Sequence, residues 1–215
     1  MNFSISDTIP RVALITGGGH GTGLAIGRAL ANAGFAVAMQ CDPGGSPRDL
    51  PSGIVALPAD LADEEQTAAL PGRAAAALGA IGVLVNAASL AARDTWDQAP
   101  RAIWDAHMQT NLRAPFVLIQ HFAKALPEAC EGVAINLLGG GTRQDYLSYS
   151  LTKAALWTLT QTMALALAPR IRVNGIAGGP SGGADEIAHA ALAILAFRSM
   201  TGQMIDPNGV PPPGA

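Results

Sequence analysis

The sequence predicts a doubly wound α/β fold, a parallel sheet covered by helices on both faces. Three observations carry the prediction. Short apolar runs alternate with stretches of helical periodicity along nearly the whole chain. The first run ends in a glycine cluster, TGGGHGTG, that opens directly into a helical pattern. No internal repeat or linker divides the 215 residues, so 1–215 are expected to form one domain around one large core, with 210–215 as a loose tail.

The elements follow in order. Residues 12–16 (VALIT) read as a buried strand stopping at the glycines, and LAIGRALANAG as a helix that Gly34 ends. Residues 35–41 and 54–57 are the second and third strands. Residues 63–78 are Ala-rich and helical, with Pro71-Gly72 expected to break or kink them. A fourth strand is expected over 81–87, then a long helical stretch over 101–126, with Pro115 as a possible kink point. Strands over 133–138, 171–176 and 203–206 alternate with helices over 149–167 and 185–197. Such alternation implies right-handed β-α-β crossovers, with ligands bound beyond the carboxyl ends of the strands.

Composition narrows the function classes. Apolar residues make up 49% and charged residues 13%, as in a globular protein rather than a disordered one. A net charge of −3 with no basic run gives no footprint for nucleic acid or an acidic membrane. Cys41 and Cys130 lack metal-ligand spacing and read as small core residues. The N-terminal MNFSISDTIPR lacks the features of a signal peptide, and residues 184–197 are too short and too polar to span a bilayer. A cytoplasmic protein is expected.

Several residues suggest chemistry. In TGGGHGTG, Gly17, Gly21 and Gly23 have G-x3-G-x-G spacing between a strand and a helix, where backbone amides and the helix dipole suit a pyrophosphate. The bland alternative is a tight turn without ligand. Asp60-Leu61 after the third strand could hold an adenine amino group or cap the next helix. Asn86, Ala87 and Ala88 end the fourth strand, where small side chains leave room for a flat ring and Asn86 could bridge strands. Asn111 sits mid-helix, where asparagine is a poor helix former, and could hold a water or distort a turn. Tyr149 and Lys153, four apart, share a helix face, and an ammonium there would favour the phenolate for acid/base work. Taken alone, that pair also occurs by chance.

Together, TGGGHGTG, Asp60, NAAS, NLRAPF, YSLTK and RVNGIAGG occur in order at strand ends or in adjoining helices. In this the chain resembles the short-chain dehydrogenase/reductase family over nearly its whole length, and SYSLTKAALWTLTQTMALALAPRIRVN resembles its pteridine-reductase-like branch. The resemblance implies a Rossmann-type fold and an oxidoreductase that uses NAD or NADP on a carbonyl, alcohol or pterin-like substrate. It places Gly17, His20, Gly21, Thr22 and Gly23 at the pyrophosphate turn, Asp60 and Leu61 at the adenine, and Asn86, Ala87, Ala88 and Gly178 along the cofactor. It makes Tyr149 the proton donor or acceptor, Lys153 the ribose ligand that lowers the tyrosine's pKa, and Asn111 the residue that positions a relay water. It also implies a homodimer or homotetramer, and helix residues Leu156, Leu159, Met163 and Leu167 opposite Ala155, Thr158, Thr162 and Ala166 provide two packing faces.

The chain departs from the family pattern in four places. Gly139 stands where a catalytic serine or aspartate is expected, with Thr142, Asp145 or Ser148 as candidate substitutes. The substrate-covering segment after Gly179 is short. Between the second and third strands, CDPGGSPRDLPSG replaces the usual helix: Asp42 would favour NAD, His20 and Arg48 NADP, and the branch resemblance tips the expectation to NADP. The last turn reads DPNG. The alternative to an enzyme is a degenerate relative that binds nucleotide or protein without catalysis.

Overall fold

A computed structural model of the chain describes residues 5–19, 21–44, 50–140, 142–178 and 183–207. In chain order the elements are β1 (Val12–Ile15), α1 (Gly21–Asn32), β2 (Ala36–Cys41), β3 (Ile54–Pro58), α2 (Glu64–Leu78), β4 (Val83–Asn86) and α3 (Arg101–Met108). A π-turn (Gln109–Arg113) then leads into α4 (Ala114–Ala125), β5 (Gly132–Gly139), α5 (Leu147–Leu167), β6 (Ile171–Ala177), α6 (Ala184–Ala196) and β7 (Met204–Ile205). All seven strands pair parallel, in the order β3-β2-β1-β4-β5-β6-β7. The chain winds outward one way through β1, β2 and β3, then restarts on the other side of β1 with β4. That reversal opens a crevice at the carboxyl ends of β1 and β4, where ligands of open α/β sheets bind.

The period-2 alternation of the strands divides the core into two layers. Ala13, Ile15, Val37, Val83, Val85, Val133 and Ile135 point to the face covered by α1 and α6, against Ile26, Leu30, Ile187, Ala191 and Ile194. Val12, Leu14, Ala38, Leu84, Ala134 and Val173 point to the other face, against Leu70, Leu118, Ile119, Phe122 and Ala164 of α2, α4 and α5. Both faces being covered explains why the strands read as continuous apolar runs.

Two expectations about helices change. α2 runs through Pro71, which is buried, without a break, and Asp63 caps its start, accepting from the amides of Glu65 and Gln66. The stretch 101–126 is interrupted at the π-turn rather than merely kinked. Its cause is legible in the chemistry: Pro115 has no N–H to give the carbonyl of Asn111 four residues earlier, so the regular ladder cannot close there.

Candidate active site

A cavity of about 690 Å³ lies at the crevice, lined among others by Gly17, Gly21, Thr22 and Gly23 on one side, Asp42, Asp60 and Leu61 at one end, and Tyr149 and Lys153 at the other. The glycine turn is built for close approach. Gly17 has φ +66°, and a Cβ on it would lie 2.7 Å from the Cα of Ala88. Only glycine lets β1 and the end of β4 meet here. Behind them the hydroxyl of Thr16 accepts from the amides of Ala87 (3.1 Å) and Ala88 (3.2 Å), which pins the two strand ends together.

Gln40, at the end of β2, is a site residue the sequence reading missed. It is fully buried, accepts from the Gly17 amide at 2.9 Å and donates to the Ala59 carbonyl at 2.8 Å and to Asp42 at 3.4 Å. One side chain therefore sets the glycine turn, the exit of β3 and the carboxylate at the cavity's end. A polar residue in an otherwise apolar strand was the only signal for it.

Geometry bears on the alternatives left open for two residues. Asp63, not Asp60, caps α2; the Asp60 carboxylate accepts from the Ala62 amide at 2.8 Å and its carbonyl from the Asp63 amide at 3.2 Å, and the residue lines the cavity with Leu61. Asn86 takes its strand-bridging role. Its amide donates to Asn136 at 2.8 Å, Asn136 donates to Thr160 at 2.9 Å, and Thr160 donates to the Leu156 carbonyl at 2.7 Å, which ties β4 and β5 to α5. The side-chain oxygen of Asn86 is buried without a partner. Ala87, Ala88 and Gly178 line the cavity, whereas His20 and Arg48 lie outside the described residues.

Asn111 sits in the π-turn, fully buried. Its amide group is used locally: it accepts from the Leu90 amide and donates to the Leu90 carbonyl, both at 2.8 Å, and donates to Thr152 at 3.3 Å. The side chain thus holds the loop after β4 against α5, while its own carbonyl lacks the regular helical donor because of Pro115.

Tyr149 and Lys153 lie on the cavity side of α5 and are nearly fully buried. The Lys153 ammonium donates to the Leu137 carbonyl at 3.0 Å and stands 5.6 Å from the Tyr149 ring centre. Burial alone pushes its pKa from 10.5 down to about 8. Gly139 faces the same hydroxyl: its φ is +72°, and a Cβ on it would overlap the Tyr149 oxygen. None of the three candidate substitutes lines the cavity. Ser148 is buried against Asp94 and His107, Asp145 pairs with Arg93 at 3.2 Å, and Thr142 is exposed. The other hydroxyls on the wall belong to Thr22, Ser89 and Thr110.

A glycine turn without Cβ atoms, opening into α1 at the switch point of a parallel sheet, fits a dinucleotide pyrophosphate. These features define a dinucleotide-binding α/β domain. The chain belongs to the short-chain dehydrogenase family, whose model matches residues 11–185. It is 34% identical to L-xylulose reductase of Bos taurus over 175 residues, which cover 77% of this chain and 70% of that protein. It is 31% identical to the chloroplastic NADPH-dependent aldehyde reductase 1 of Arabidopsis thaliana over 203 residues, covering 83% and 70%. Among solved structures, FolM alternative dihydrofolate reductase 1 from Brucella suis in complex with NADP superposes with a TM-score of 0.82 at 33% identity, covering 91% of this chain and 92% of that one. The members it resembles are oxidoreductases. No described helix is long and apolar enough to cross a membrane.

Proposed function

We propose that the chain is an NADP- or NAD-dependent reductase that transfers hydride between the nicotinamide and a carbonyl or pterin-like C=N bond. The observation that carries this reading is the convergence of Tyr149 and Lys153 on the cavity that holds the glycine turn. The cofactor supplies the hydride; the chain's residues hold it and handle the proton. Gly17, Gly21 and Gly23 make room for the pyrophosphate, and Asp60 and Leu61 flank the adenine end. The Lys153 ammonium binds the nicotinamide ribose, and the Tyr149 hydroxyl exchanges the proton with the substrate oxygen or nitrogen. The carbonyl of Asn111, freed by Pro115, holds the relay water, so asparagine acts there through its main chain while its side chain fixes the Leu90 loop.

NADP is favoured by the company the chain keeps, since its relatives include an NADPH-dependent aldehyde reductase and NADP complexes. One observation favours NAD: the Asp42 carboxylate lines the adenosine end of the cavity, where it would repel a 2′-phosphate. The pteridine-reductase-like assignment is supported by the two FolM alternative dihydrofolate reductases at 33% and 31% identity. Gly139 motivates the second reading, a nucleotide-binding relative without catalysis, because no side chain on β5 assists Tyr149 there. Fluorescence titration with NADH and NADPH, followed by assays with pterin, quinone and ketone acceptors, separates the readings. Binding with turnover supports the reductase; binding alone supports the second reading; no binding removes the reductase and leaves only a relative that acts through protein partners.

We also infer a cytoplasmic homodimer or homotetramer built on α5. Leu165 is 85% exposed and Leu151 45%, beside exposed Thr158, Thr162 and Ala166 on the same helix. A monomeric mass in light scattering would refute the assembly.

A further inference from the structure

Outside the cavity the chain holds a second cluster of reactive side chains: Asp94, Ser148 and His107, drawn from the loop before α3, from α5 and from α3. All three are buried, Ser148 and His107 completely. The residue types are those of a hydrolytic triad, but the order is not. The Nε2 of His107 accepts from the Ala92 amide at 2.9 Å, so the ring's hydrogen is on Nδ1. Nδ1 donates to the Ser148 hydroxyl at 2.6 Å, and that hydroxyl donates to Asp94 at 2.5 Å. The serine lies between histidine and aspartate, with its proton on the carboxylate side, and has neither access nor a base. It is no nucleophile.

What the cluster does hold is the start of α5. The helix has no side-chain cap of its own at Tyr146. Asp94 replaces it from 54 positions away, accepting from the Ser148 amide at 3.1 Å with its carboxylate and from the Leu147 amide at 3.1 Å with its main chain. A carboxylate here satisfies orphan amides and complements the helix dipole. Tyr149 is the next residue. Its ring meets the edge of His107 at 6.3 Å between centres on one side and Tyr146 at 6.4 Å on another.

We propose that Asp94, Ser148 and His107 form a positioning device for Tyr149, a hydrogen-bond chain that fixes the first turn of α5 against α3 and so holds the phenol over Gly139. The device works with neutral histidine only. A second ring proton would set Nε2–H against the Ala92 N–H and break the chain. Burial lowers the His107 pKa, and the charge of Asp94 opposes that shift. The other charged groups nearby are the exposed pairs Arg93–Asp145, beside the same loop, and Arg101–Asp105, on α3 itself. On α5, Lys153 lies one turn beyond Tyr149 on the cavity side.

The inference rests on the reductase reading, so its test has one readout that needs activity and one that does not. The full chain is assayed for NADPH oxidation with menadione, as wild type and as His107→Leu, Ser148→Ala and His107→Gln. His107→Leu and Ser148→Ala are expected to lower kcat by roughly 10- to 100-fold, the scale of misplacing a reacting group by an ångström. NADPH affinity stays near wild type. His107→Gln, which can accept and donate at matching positions but cannot charge, retains the rate and lacks the wild-type loss of rate towards acid pH. The chain has two tyrosines, so in a Tyr146→Phe background a labelled tyrosine reports Tyr149 alone by NMR. Its ring signals should shift or broaden in Ser148→Ala and match the parent in His107→Gln. Unchanged kcat and unchanged ring signals in both His107→Leu and Ser148→Ala would overturn the proposal. A wild type that never oxidises NADPH would sink the reductase reading instead, and the ring signals would then decide the positioning role by themselves.

Discussion

The Tyr149 hydroxyl occupies the space where a side chain at position 139 would begin. Gly139 adopts φ +72°, and a Cβ there would overlap the phenol oxygen. β5 is irregular at this point, its pairing with β6 shifting between Leu137 and Gly139. The glycine is therefore a requirement of this tyrosine's position.

Gly139→Ser should not restore a fuller active site. The serine would be strained in the left-handed region by about 1–2 kcal/mol and would push Tyr149 aside. Melting temperature and NADPH-dependent turnover should both fall. A gain in turnover would show that the loop can accept a hydroxyl and that Tyr149 has room to move.

Lys153 gives two opposite pH dependences. Its pKa falls from 10.5 unfolded to about 8 folded, so the unfolded chain binds more protons between these values, and stability of the cofactor-free protein should rise with pH across that window. With the ammonium holding the cofactor as proposed, affinity should fall as pH rises through about 8. Urea denaturation and NADPH titration at several pH values check both, and Lys153→Met should flatten both curves. A stability profile indifferent to Lys153→Met would remove the lysine as its cause.

The proposed role of Asp42 in cofactor choice is open to direct test. Replacing it with Asn should raise affinity for NADPH relative to NADH by roughly five- to tenfold, the scale of relieving one exposed like-charge contact. Parallel fluorescence titrations with the two cofactors measure the ratio. An unchanged ratio would take Asp42 out of the specificity account.

Much of this was readable in the chain, for physical reasons. Strands buried on both faces leave apolar runs, so all seven strands and their order of appearance were legible. The tight turn at Gly17 and the shared helix face of Tyr149 and Lys153 were legible because turn geometry and helix spacing are local. What escaped was long-range. Gln40 meets Gly17 across 23 positions, and Ser148 meets Asp94 across 54 and His107 across 41, with no periodicity to announce them. Ser148 is one of three candidates, with Thr142 and Asp145, for a hydroxyl or carboxylate beside Tyr149, and side-chain direction decides against it. On a helix, adjacent residues point about 100° apart, and the same step that aims Tyr149 at the cavity turns Ser148 away. The π-turn at Asn111 was half legible: Pro115 signalled an irregularity, and its consequence for the Asn111 carbonyl needed the four-residue ladder to be followed back.

The central claim is that Tyr149 exchanges the substrate's proton in a nicotinamide-dependent reduction. Turnover of NADPH with an active acceptor, measured beside NADPH affinity in wild type and Tyr149→Phe, tests it most directly. The account predicts a loss of at least about 100-fold in kcat with affinity nearly unchanged, as removal of a general acid requires. Equal turnover in the two proteins would contradict it.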